Sequence, residues 1–99
     1  MEVKIKAIHF DATEKLQAFI EKKVEKLEKS CEEIRKVEVS LKVVKPETSM
    51  NKEVGLKISV KNEELFADKV CDTFEEAVDV CVEALLKQLS KYKEKQRGR

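Results

Sequence analysis

Glycine is nearly absent from this chain: Gly55 and Gly98 are the two glycines among 99 residues. A phosphate-cradling loop of the nucleotide-binding kind needs several glycines so that backbone N–H groups can approach the ligand, and none can be assembled here. Histidine occurs once, as His9, between the first predicted strand and the first predicted helix. An imidazole can transfer protons from such a place, but no serine or cysteine partner is in view, and a plain loop residue is the favoured reading. The cysteines, Cys31, Cys71 and Cys81, are odd in number and lack close pairing. That fits reduced thiols better than a disulfide framework or a zinc site. Cys81 falls on an apolar helical stripe and Cys71 ends a strand, both packing positions. Cys31 is free to be exposed, with nothing nearby in sequence to activate it. No apolar run approaches the length of a membrane span. The opening "MEVKIKAIHF" alternates charged with apolar residues, so it lacks the continuous core of a signal peptide. The expectation is a cytoplasmic protein without catalytic residues, metal, cofactor, small-molecule substrate or membrane.

What the chain does have is charge and pattern. Charged and hydrophobic residues each make up 41%, enough apolar content for one two-layer core in a single domain spanning 1–99. "EVKIKAI" sets Val3 and Ile5 against Lys4 and Lys6, the alternation of a half-buried strand. A helix follows, with Asp11 or Thr13 as its N-cap; Asp11 and Glu14 resemble a capping box. Its apolar stripe is Leu16, Phe19, Ile20, Val24 and Leu27, fading after Lys29. "VEVSLKVV" alternates again until Pro46, which cannot donate to a ladder. "PETSMNK" reads as a polar loop, "VGLKISV" as a third strand and "KNEE" as a hairpin connection. "LFADKVC" carries apolar residues on both faces, as an edge strand can. The last helix starts at Thr73 with Glu76 completing a capping box, and buries Phe74, Val78, Cys81, Val82, Leu85, Leu89 and Tyr92. The order β-α-β-β-β-α predicts an α+β two-layer sandwich, with two helices on one face of a four-stranded mixed sheet.

The charges are sorted by sign. Residues 85–99 hold six basic residues and one acid, a balance of +5, while the rest of the chain stands at −4 and the whole at +1. On the first helix Lys15, Lys22, Lys26 and Lys29 fall within roughly 60° of one another at 100° per residue, with Glu14, Glu21, Glu25 and Glu28 on the far side. On the last helix Lys87, Lys91 and Lys95 form an i, i+4, i+8 line. Lysine near a helix C-terminus also complements the dipole, and pattern alone puts a merely solvated face slightly ahead of an anion-binding one. Two adjacent basic ridges would tip that balance, because many weak phosphate contacts add up to backbone tracking. Tyr92 lies within the basic run, where it could stack on a base, but it also lies on the apolar stripe.

"DATEKLQAFIEKKVEKLEKS", "VEVSLKVVK" and "LLKQLSKYKEK", in that order and spacing, resemble the ribosome hibernation promoting factors, also called ribosome-associated translation inhibitors. The resemblance runs nearly end to end and implies function without chemistry. Family members bind the small ribosomal subunit in the channel for messenger and transfer RNA, and they silence or store ribosomes in stress and stationary phase. It implies that residues 1–99 are one ribosome-binding domain with a basic helical tail from about residue 87. By motif position Lys26, Lys87, Lys91, Lys93 and Lys95 correspond to basic residues facing ribosomal RNA; Lys22 and Lys23 carry over with a looser match, and Lys29 and Arg97 extend the two basic stretches. Ala84 stands where the family usually has a basic residue, and Glu75 where an aromatic is common. The chain resembles the short type, which in some bacteria pairs ribosomes only with a separate ribosome modulation factor. Two readings from the residues stay open beside this one: a general RNA-binding module, and a protein-interaction module whose lysines meet an acidic partner. The acids opening the last helix argue against the double-stranded RNA-binding variant, which needs basic residues at a helix N-terminus.

Overall fold

The computed structural model describes residues 2–8, 11–44, 51–61 and 63–97, with side chains through Lys95. His9, the predicted loop around Pro46 and the side chain of Arg97 lie outside the described residues. The elements are β1 (Glu2–Ala7), α1 (Glu14–Ser30), β2 (Lys36–Val43), β3 (Lys52–Ser59), β4 (Glu64–Cys71) and α2 (Phe74–Arg97). They form one four-stranded sheet in the order β1-β2-β3-β4. β1 pairs parallel with β2, and the other two pairings are antiparallel. The predicted sandwich is the observed one.

Alternation decides which face of the sheet is covered. Val37, Val39 and Leu41 on β2 stand opposite Ile58, Leu56 and Val54 on β3, and all six are buried. The residues between them point to the open face. α1 contributes Leu16, Ile20, Val24 and Leu27 to this core, and α2 contributes Ala77, Val78, Cys81, Val82, Leu85, Leu89 and Tyr92. Ala77 is absent from the predicted stripe because a methyl group adds little to an apolar pattern. Phe74 packs only at the margin of the core.

The caps correct one expectation. Thr13 is the N-cap of α1: its Oγ1 accepts the Leu16 N–H at 3.1 Å from an extended backbone. Asp11 stands outside the helix, so the supposed box of Asp11 and Glu14 does not form. Thr73 plays the same part for α2, accepting the Glu76 N–H at 3.1 Å. At the other end of α1, the N–H of Cys31 bonds back to the Leu27 carbonyl. That turn carries Cys31 inward, and it is buried with Cys71 and Cys81. The expectation that Cys31 could be exposed is thus overturned.

Candidate nucleic-acid interface

The two helices run side by side in the same direction. Lys23 of α1 meets Asp79 near the start of α2 at 2.9 Å, and Lys93 near the end of α2 donates to the Ser30 carbonyl at the end of α1 at 2.7 Å. Parallel helices place both C-termini, each the negative end of its dipole, at one end of the molecule. The basic residues of both sequences therefore gather there: Lys26 and Lys29 from α1, and Lys87, Lys91, Lys93 and Lys95 from α2.

Of the nine predicted contact residues, the structure separates two kinds. Lys22, Lys26, Lys29, Lys87, Lys91 and Lys95 are exposed, and none is held in an ion pair among the described residues. Lys23 and Lys93 bind the protein itself. The Lys23 ammonium also sits 5.5 Å from the centre of the Phe19 ring. Its hydrogen bond to Asp79 holds its pKa above the usual lysine value against the opposing effect of burial, with the Asp79 charge adding to the rise. Lys93 supplies a charged donor to a helix-end carbonyl that has no partner within its own helix, a normal C-capping role. The ninth, Arg97, closes α2, and its backbone continues the helix.

The basic residues make two tracks. Gln88 donates to the Phe66 carbonyl at 2.9 Å, which fixes that side of α2 against the β4 edge. Lys91 and Lys95 follow Gln88 at three and seven residues, so they share this side. With Glu63, Leu65 and Tyr92 they line a cleft of about 260 Å³ beside the β3–β4 turn. The α1 lysines lie toward the other flank of α2. On the crest between stand Glu76, Asp79 and Glu83, one row at i, i+3, i+7 spacing. Glu83 is close enough to act on Lys23. The ridges are thus separated along the first turns of α2 and draw together only at its C-terminal end.

Tyr92 anchors that end. Its ring is buried, and its hydroxyl donates to Glu33 Oε1 at 2.5 Å, joining α2 to the turn after α1. A buried ring leaves no face for a base, so the packing reading of Tyr92 holds. Gln88, Asp79 and Glu33 position this surface and were not among the predicted residues. Each acts across a long sequence separation, which no local pattern reports. Ala84 is half-buried on the Gln88 side, one turn earlier, and Glu75 is exposed. Among the described residues, no group of acidic, cysteine or histidine side chains is arranged to hold a metal ion.

Sequence comparison shows the family to which a chain with this surface belongs. Residues 3–97 match the profile of the family described as Sigma 54 modulation protein / S30EA ribosomal protein. The chain belongs to this family. It is a family of ribosome hibernation factors, and it is non-enzymatic. The "Ribosome hibernation promoting factor" of Azotobacter vinelandii is 29% identical over 96 residues, spanning 97% of this chain and 86% of that protein. The protein of the same name from Pseudomonas putida is 28% identical over 98 residues, 99% of this chain and 92% of its own length. Solved structures share the fold. A ribosomal subunit interface protein from Coxiella burnetii superposes with a TM-score of 0.84 at 24% identity, over 94% of this chain and 98% of that one. The N-terminal domain of Protein Y from Thermus thermophilus gives 0.79 at 15% identity, over 93% and 99%. The S30EA fold thus persists where sequence identity is low, as expected when alternation and helical stripes specify it.

Proposed function

We propose that this S30EA-family chain is a ribosome hibernation factor acting in the cytoplasm. It binds the small ribosomal subunit in the channel used by messenger and transfer RNA, and it silences or stores ribosomes under stress or in stationary phase. Residues 1–99 act as one ribosome-binding domain, with the basic end of α2 from about residue 87 as its main contact. The observation that carries this reading is the set of six exposed lysines without ion-pair partners among the described residues, which run from Lys22 in the middle of α1 and from Lys87 on α2 toward the end of the molecule where the two helices end. An unpaired surface lysine gives up no internal partner when it meets a phosphate, and each contact releases condensed counterions. Lys22, Lys26 and Lys29 form one track and Lys87, Lys91 and Lys95 the other. Lys93 and Arg97 extend the second, and Lys23 holds the first in place through Asp79. A separate small modulation factor is the second partner where ribosomes are paired.

The test is sedimentation of the purified protein with purified small subunits, with and without messenger and initiator transfer RNA. Binding that those RNAs displace supports the channel. Binding indifferent to them moves the site elsewhere, and absence of binding at low salt removes the proposal.

A further inference from the structure

One acid stands within the second lysine track, where a phosphate-binding surface gains nothing from it. Glu63 lines the cleft of about 260 Å³ together with Leu65, Gln88, Lys91, Tyr92 and Lys95. It is exposed, and among the described residues it forms no ion pair with either lysine or with any other group. Its neighbour Glu64 differs, because Lys57 takes up that carboxylate at 3.4 Å. A carboxylate beside two ammonium groups repels phosphate and lowers the field they make. A surface that only tracks a nucleic-acid backbone is better served by a neutral or basic residue at this position.

Contacts within the protein build the cleft. The Val60 N–H bonds to the Glu63 carbonyl at 2.9 Å, which closes the β3–β4 turn and sets Glu63 immediately before β4. Gln88 donates to the Phe66 carbonyl and Tyr92 to Glu33, so the α2 wall is tied down as well. Leu65 is half-buried and gives the cleft an apolar floor. An apolar surface, a pair of cations and an acceptor-only carboxylate thus converge on one small volume. A nucleotide has the three matching parts: a flat base, an anionic phosphate and a base edge that carries donors. Guanine presents N1–H and its 2-amino group side by side, which suits the two oxygens of one carboxylate. Adenine and cytosine set an amino group beside an acceptor nitrogen, and uracil sets one N–H between two carbonyls. In each of these the carboxylate meets a lone pair.

We propose that this cleft seats an unstacked guanosine of the bound RNA, with Glu63 reading the base edge, Leu65 covering one face of the base, and Lys91 and Lys95 on the flanking phosphates. The inference rests on the reading of α2 as an RNA-facing surface and adds base selection to it. Phosphate contacts set position and carry no sequence information, whereas contacts to base edges do. Single-stranded RNA offers those edges where its bases are splayed out. Glu63 is thereby a specificity-determining residue. It gives up some attraction for phosphate and discriminates against strands that present no guanine.

The test is amide-resolved NMR titration of the isotope-labelled full chain at low salt. The probes are short uridine oligonucleotides whose central residue is guanosine, inosine, adenosine, cytidine or uridine, and guanosine monophosphate alone. The guanosine strand should bind at least about fivefold tighter than the uridine strand, the low end for a bidentate base contact. It should shift the amides of residues 63, 65 and 88. Inosine lacks the 2-amino donor and should lose most of the advantage. Glu63→Ala should level the affinities while the uridine strand binds as well or better, because a repelling charge is gone. A weakening of every strand together in that variant would show a structural role and overturn the proposal. Lys91→Gln combined with Lys95→Gln should weaken all strands by a common factor and keep the guanosine preference. A preference that is missing in the unaltered protein, or that survives Glu63→Ala, would overturn this inference while leaving the lysine contacts standing. Guanosine monophosphate binding as tightly as the guanosine strand would overturn RNA as the source and assign the cleft to a free nucleotide. Failure of every strand to bind would remove the RNA-facing reading of α2, and this inference with it.

Discussion

Tyr92 is the only tyrosine of a chain without tryptophan, so its ionisation can be followed by phenolate absorbance without interference. The hydrogen bond to Glu33, followed by burial and the Glu33 charge, pushes its pKa from 10.0 up to about 12. A raised folded-state pKa means that the protonated form is favoured by folding. The associated stability is fully present below pH of about 10, the unfolded tyrosine value, and is lost as pH rises through the folded value. The phenol should thus titrate near 12 in the folded protein and fall toward the unfolded value in Glu33→Gln. Denaturant unfolding across that alkaline range should show stability declining, and Tyr92→Phe should reduce the decline. Part of it should remain, because burial also lifts the Cys81 thiol to about 12. A phenol titrating at the ordinary tyrosine value in the native protein would mean that the Glu33 bond does not persist in solution. Cys81 donates to the Val54 carbonyl at 3.5 Å, and Cys71 is likewise raised, first by burial. With Cys31 also buried, none of the three thiols should be alkylated in the native protein, as mass spectrometry after reagent exposure would read. Replacing all three with serine or alanine should leave ribosome binding intact in a folded variant, at some loss of stability from position 81. A folded variant that no longer binds would reopen a metal or redox role.

At the scale of elements, periodicity carries the fold and separation in sequence conceals the seam. The stripes of α1 and α2 and the alternation of β2 and β3 follow local spacing, so Leu85 and Leu89 are legible as core residues from that spacing alone. Both have no exposed surface. Leu85→Ala should therefore cost about 2–5 kcal/mol, the range for emptying a packed leucine site, measured as a shift in denaturant unfolding. A change of a few tenths would place α2 in a different rotation. β4 is harder to read because an edge strand with Phe66 on its open face breaks the binary pattern. Thr13 and Asp11 are both good N-cap residues, and only the backbone path distinguishes them. The candidate site divides in the same manner. Six lysines on the outer ridges are legible from helical angle alone. That Lys23 and Lys93 turn to the protein depends on Asp79 and Ser30, and Ser30 lies 63 residues from Lys93. A lysine at a suitable angle on one helix does not reveal what the neighbouring helix offers it.

Across the whole molecule, the net charge of +1 conceals a polarised body. Acids occupy the crest of α2 near its start and a row on α1, whose Glu25 and Glu28 line a cleft with Lys29, and lysines collect toward the end where both helices finish. Low overall charge limits indiscriminate attraction to cellular polyanions, while a local cluster still supplies a field. If Lys87, Lys91 and Lys95 each meet a phosphate, binding to the small subunit should weaken steeply with salt. Removing any one of these phosphate contacts should lower the slope of log K against log salt by roughly 0.7–0.9. Replacing all three with glutamine preserves length and helix propensity. Because these side chains make no ion pairs among the described residues, folding should be unaffected. The variant should bind far more weakly at moderate salt and inhibit translation poorly. Replacing Glu21, Glu25 and Glu28 with glutamine removes as many charges of the opposite sign from the acidic row of α1, and should change affinity far less. This pair of variants separates a local contact from the general field, since net charge moves by the same amount in each. Should the lysine variant be folded and bind with unchanged affinity and slope, the end of α2 is a solvated helix terminus, and the RNA-facing assignment of α2 fails.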